Sequence, residues 1–73
     1  MSALETGDHG EVVKLEGGRS VISRMTALGF TPGADVSVVQ NYGRGPLIAR
    51  VRGARIALGR GEAEHVQVRR RPR

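Results

Sequence analysis

Cysteine and tryptophan are absent from the sequence, and only two aromatic residues are present, Phe30 and Tyr42. Without cysteine the chain has no disulfide, no thiolate metal site and no cysteine nucleophile. Long apolar runs are missing too. The longest, Leu47–Ala49 and Ile56–Leu58, have three residues each, against roughly 20 for a membrane-spanning helix, which excludes insertion by a helix. The opening Met1-Ser2-Ala3-Leu4-Glu5 has neither the basic nor the apolar region of a secretory signal, so a reducing cytoplasm is the expected location. Length is short as well: 73 residues allow one domain and one core. Most apolar side chains are therefore committed to packing before anything else. A hydrophobic content of 38% with 11 glycines suits short strands joined by tight turns better than a helical bundle.

Acidic residues are outnumbered twelve to seven, giving a net charge of +5. Much of the excess is local. Arg69, Arg70, Arg71 and Arg73 account for four of the positive charges, and the remaining eight basic residues face seven acidic ones. The expected organisation is one domain over residues 1–68 and a basic, solvated tail over residues 69–73. Arg50, Arg52 and Arg55 offer a small basic surface in the body. Two aromatic residues are too few for the stacking platforms of single-stranded nucleic-acid binders, so nucleic acid is an unfavoured partner.

Along the chain, Gly10–Glu16 reads as a half-buried strand with Val13 and Leu15 inward and Glu11 and Lys14 near solvent. Gly17-Gly18 ends it. Ser20 suits a helix N-cap, and Val21, Met25 and Leu28 make one apolar stripe on a helix of about nine residues. Gly29 suits the left-handed position after that helix, with Phe30 folding back on Met25. Thr31-Pro32-Gly33-Ala34 has the chemistry of a type II turn. A strand with Val36 and Val38 inward follows, running to about Asn41. Asn41–Pro46 is a longer loop. Leu47–Arg52 and Ala54–Leu58 form a tight hairpin around Gly53, with Leu47, Ala49 and Val51 inward. A turn and a single helical turn span residues 59–64, and His65–Val68 is the last strand. The pattern predicts an all-β fold: a small SH3-like five-stranded, partly open barrel with one short helix after the first strand. An edge strand of such a barrel offers a route to self-association.

Catalytic chemistry finds no support. The serines sit in no nucleophile-elbow sequence, and the chain is too small for a deep cleft, so no catalytic residue and no enzymatic activity are expected. His9 and His65, with Glu11, Glu62 or Glu64, have no ligand spacing that specifies a metal, and no cofactor is expected. Gly43-Arg44-Gly45 and Gly59-Arg60-Gly61 lack the Lys-Ser/Thr pair of a phosphate loop and read as turns. A binding module remains. Its candidate partner surface lies where helix and barrel meet, at Met25, Leu28, Phe30, Pro32 and Tyr42; Tyr42, in a loop, is the residue best suited to exposure.

The order of Gly10–Gly18, Met25–Gly33, Gly45–Gly53 and Ile56–Ala63 closely resembles the FeoA family, small cytoplasmic proteins of bacterial ferrous iron transport. The most specific run is Leu28-Gly29-Phe30-Thr31-Pro32-Gly33, and the likeness spans about Gly7 to Val68. The resemblance implies an SH3-like barrel without catalytic residues that works beside the FeoB permease and its GTP-binding domain at the inner face of the plasma membrane. Transition-metal binding is a weaker implication, since no preformed ligand set is visible. The arginine-rich ending departs from the family's shorter ones and offers Arg69, Arg70, Arg71 and Arg73 as a peripheral contact to anionic headgroups. The same barrel closes iron-dependent transcriptional repressors, but only about ten residues precede the first strand, so a free-standing protein is expected. A small nucleic-acid-binding barrel using the basic surface and arginine tail is the alternative.

Overall fold

The computed structural model describes residues 1–72; Arg73 lies outside them. The elements in chain order are β1 (His9–Leu15), α1 (Arg19–Ala27), β2 (Asp35–Gln40), β3 (Leu47–Val51), β4 (Ala54–Leu58), α2 (Arg60–Glu64) and β5 (Val66–Arg71). The five strands make one antiparallel sheet in the order β4-β3-β2-β1-β5, which leaves β4 and β5 as its edges. This is the partly open five-stranded arrangement that the strand pattern predicts.

Alternation sets the core. Val36 and Val38 of β2 and Leu47, Ala49 and Val51 of β3 are buried as expected, and the neighbours between them face out or are half-buried. Phe30, Met25, Leu58, Val12 and Val66 complete the set of large side chains with almost no exposure. Strand β1 departs from its expected orientation. Val12, not Val13, points inward, and Val13 is 45% exposed. The cause is a bulge: Val12 pairs with Val68 and Lys14 with Gln67, so Val13 is an extra residue that reverses the alternation. A second bulge at Val39, between the Val38–Ala49 and Gln40–Ile48 pairs, bends β2. Two bulges in adjacent strands supply the curvature that rolls a small sheet towards a barrel.

Helix α1 begins two residues earlier than the Ser20 cap implies. Gly18 is its N-cap, no side chain caps it, and Ser20 lies inside the first turn. Its C-terminus follows the expected design in full. The N–H of Gly29 donates to Thr26 and that of Phe30 to Met25, at 3.0 Å each, with Gly29 at φ 105°. These are the paired bonds of a Schellman motif, and they require a positive φ that a side chain disfavours. The turn after it closes with the Ala34 N–H on the Thr31 carbonyl at 2.9 Å. The last strand does not stop at Val68: Arg69, Arg70 and Arg71 pair with Glu11, Gly10 and His9 of β1.

Candidate functional site

The five residues expected at a partner surface divide into three groups. Met25 is 1% and Phe30 0% exposed, so both serve the core beneath the α1–β2 corner. Leu28 is half-buried and Pro32 exposed, and these two remain at the surface of that corner. Tyr42 is 77% exposed but lies beyond the opposite end of β2. Val36, near the corner, pairs with Val51 next to the β3–β4 turn, whereas Gln40, next to Tyr42's loop, pairs with Ile48 at the start of β3. Six strand residues separate the two patches, about 17–20 Å of extended chain.

Each patch is braced by a residue to which the sequence pattern gives no bracing role; Arg52, expected on a basic surface, is instead engaged within the fold. At the corner the brace is Arg52, in the β3–β4 turn with φ 50°. Its Nε donates to the Gly29 carbonyl at 3.3 Å and its Nη2 to the Thr31 hydroxyl at 2.6 Å. The guanidinium fork thus pins the hairpin tip to the chain on both sides of Phe30. At the other end the brace is Asn41. Its Nδ2 donates to the carbonyls of Leu4 (2.6 Å) and Ser2 (3.2 Å), and its N–H donates to the Thr6 hydroxyl at 2.8 Å. Its Oδ1 accepts from the Gly43 N–H at 3.0 Å and from Arg60 Nη1 at 2.9 Å. Asn41 Oδ1 bonded to the amide two residues on is an Asx turn, and Asn-Tyr-Gly was the local signal for it. Tyr42 therefore projects from a fastened loop.

The basic C-terminal residues are largely engaged within the fold. Arg70 lies 3.2 Å from the buried Asp8 carboxylate. Arg71 reaches Glu11 at 2.7 Å and Asp35 at 3.0 Å, tying β5 to β1 and β2. Hydrogen bonding from the Arg71 guanidinium, with its charge, holds the Glu11 carboxyl below its usual range. Arg69 is exposed.

Metal-ligand candidates are not brought together. His9 sits on β1 and His65 caps the C-terminus of α2. Glu62 accepts the Gly59 N–H at 3.0 Å and meets Arg24 of α1 at 2.6 Å. Among the described residues no three His, Asp or Glu side chains are grouped to hold a metal ion, and no helix is long and apolar enough to cross a membrane.

Comparison with known proteins matches this geometry. The model of the FeoA domain matches residues 1–70. A putative Fe(2+) transport protein A from Methanocaldococcus jannaschii is 32% identical over 68 residues, which is 93% of this chain and 82% of that protein. The crystal structure of an iron uptake regulatory protein, FeoA, is similar with a TM-score of 0.89 at 39% identity, covering 94% of this chain and 92% of the other. The zinc complex of Stenotrophomonas maltophilia FeoA, described as a prokaryotic SH3 domain protein, has a TM-score of 0.82 at 29% identity, covering 93% and 86% of the two chains.

Proposed function

The chain belongs to the FeoA family, associated with ferrous iron transport, and from that premise we propose that it is a non-enzymatic accessory protein of bacterial ferrous iron uptake. It acts in the cytoplasm, at the inner face of the plasma membrane, by docking on the FeoB permease and its GTP-binding domain. The observation that carries this reading is the braced α1–β2 corner. Leu28 and Pro32 are presented at the surface on a Schellman motif and a tight turn, and Arg52 locks both to the hairpin tip. Such a corner is ordered before a partner arrives, which lowers the entropy cost of binding. Tyr42, on its own fastened loop, is a second contact at the far end of the sheet. Met25 and Phe30 act only through the shape they give the corner. Of the described C-terminal arginines, Arg69 is the one offered to a peripheral contact, because Arg70 and Arg71 hold carboxylates.

The test is capture of the permease's cytoplasmic region by wild type, Leu28→Ala and Tyr42→Ala, with and without a GTP analogue, each variant's melting temperature being measured alongside. Leu28 is half-buried, so its truncation costs less than the ~2–5 kcal/mol of a fully buried leucine and leaves a folded protein. Both variants are expected to bind more weakly. If both fold normally and bind as wild type does, the proposed surface is wrong.

A further inference from the structure

From residue 36 to residue 61 the chain has five arginines and no acidic residue; all seven carboxylates lie outside this stretch. Two of the five have internal duties, Arg52 at the corner and Arg60 on Asn41 and the Gly45 carbonyl. Arg50 and Arg55 do not. They are exposed and directly opposite each other in the β3–β4 ladder. The two-residue turn Arg52-Gly53 makes Val51–Ala54 the hydrogen-bonded pair, so Arg50–Arg55 is a non-hydrogen-bonded pair, the kind whose side chains come closest. Like charges so placed are destabilising, and among the described residues no carboxylate forms an ion pair with either. The row continues across the sheet through Ser37, opposite Arg50, to His9, opposite Ser37. It therefore runs over four strands without an acid. Beside the arginine pair on the same outer face lie Ile48 and Ala57, half-buried and exposed respectively.

We propose that this outer face of the β3–β4 hairpin docks on a bilayer surface bearing anionic phospholipid, with Arg50 and Arg55 sharing phosphate oxygens and Ile48 and Ala57 against the headgroup boundary. A guanidinium matches phosphate with two parallel donors, and a phosphate between the two arginines relieves the repulsion that the bare pair carries. A cross-strand pair on an outer sheet face meets a broad surface, where an enclosed ligand would need walls. Nucleic acid is the weaker fit, because Phe30 is core and Tyr42 lies on the loop beyond the strand end, so the arginine row has no ring on which a base stacks. The inference stands apart from permease docking at Leu28 and Pro32, and its test contains no permease.

The experiment is co-sedimentation of the whole chain with vesicles of phosphatidylcholine alone or with about a third phosphatidylglycerol. Each arginine near an anionic surface is worth roughly five-fold in partitioning, so Arg50→Ala/Arg55→Ala is expected to bind roughly 30-fold more weakly. Lys14→Ala/Arg19→Ala removes the same charge away from the hairpin and is expected to match wild type. Arg55→Glu gives Arg50 a cross-strand partner, so it is expected to lose vesicle binding while its melting temperature holds or rises, which separates lost docking from lost folding. Raising the salt from 0.1 to 1 M shortens screening from roughly 10 to 3 Å and is expected to release the wild type. The proposal is overturned if the wild type does not bind, binds neutral vesicles equally, or prefers a short RNA or an acidic peptide to the anionic vesicles. It is equally overturned if the hairpin variant binds like wild type or the control pair loses as much.

Discussion

Arg71 carries two carboxylates at once, Glu11 on the neighbouring strand and Asp35 one strand further. Exposed ion pairs contribute little to stability, so what this contact decides is placement more than stability: it draws a cluster read as a solvated tail into β5. Nothing within Arg69-Arg70-Arg71 signals that outcome, because the partners stand far away in sequence at Asp8, Glu11 and Asp35. Glu11 makes the contact measurable through pH. Its carboxyl is held below the ordinary value of 4.5, first by the hydrogen bond from Arg71 and then by the arginine's charge. A lowered native value means that the contribution is complete above 4.5 and is lost as pH falls through the native value. Thermal melts in acid are therefore expected to show Glu11→Gln losing less stability than wild type between neutral pH and pH ~3. Parallel curves for the two proteins would show that the pair does not contribute.

At the scale of elements, what was legible in the sequence is what local chemistry dictates. Gly29 after an apolar stripe and Thr31-Pro32-Gly33-Ala34 after it specify a cap and a turn within ten residues, and both form as read. The orientation of Val12 and Val13 was not legible, since the bulge that exchanges them is set by pairing with Val68 and Gln67 at the far end of the chain. Ser20 was overridden because Gly18, already extended, opens the helix first. For the candidate site, the sequence puts Met25, Leu28, Phe30, Pro32 and Tyr42 at one surface and singles out only Tyr42 for exposure; Leu28, Pro32 and Tyr42 reach the surface. It could not show that Met25 and Phe30 are sealed beneath the corner or that Tyr42 sits at the other end of β2. The β1–β5 contact itself is exacting. A Cβ on Gly10 would come within 2.3 Å of the Arg69 carbonyl oxygen and 2.7 Å of Val68 Cγ1. Backbone cannot yield there as a flexible side chain would, so Gly10→Ala is expected to destabilise by ~1–3 kcal/mol. Chemical denaturation gives the value, and a loss below ~0.5 kcal/mol would mean that the two strands separate more readily than their register implies.

Over the whole molecule, charge is divided by chain segment. The only charged residues of the β3–β4 hairpin and its flanking loops are arginines, whereas the carboxylates lie on or beside β1, on α2 and at the start of β2, where several are paired. A net charge counted along the sequence conceals that division, because a near-neutral body is neutral only in sum. The two proposed modes of binding differ in the same respect. The docking proposed at Leu28, Pro32 and Tyr42 would bury apolar and aromatic surface and resist salt, whereas contacts made by exposed arginines weaken steeply with it. The most direct test of the account is a calorimetric titration of the permease's cytoplasmic region with this protein at 0.1 and 1 M salt, with a short RNA as the parallel titrant. The account predicts saturable binding to the permease whose affinity falls little over that range of roughly 10 to 3 Å in screening length, and no binding to RNA. Salt-sensitive RNA binding with no heat from the permease would contradict it.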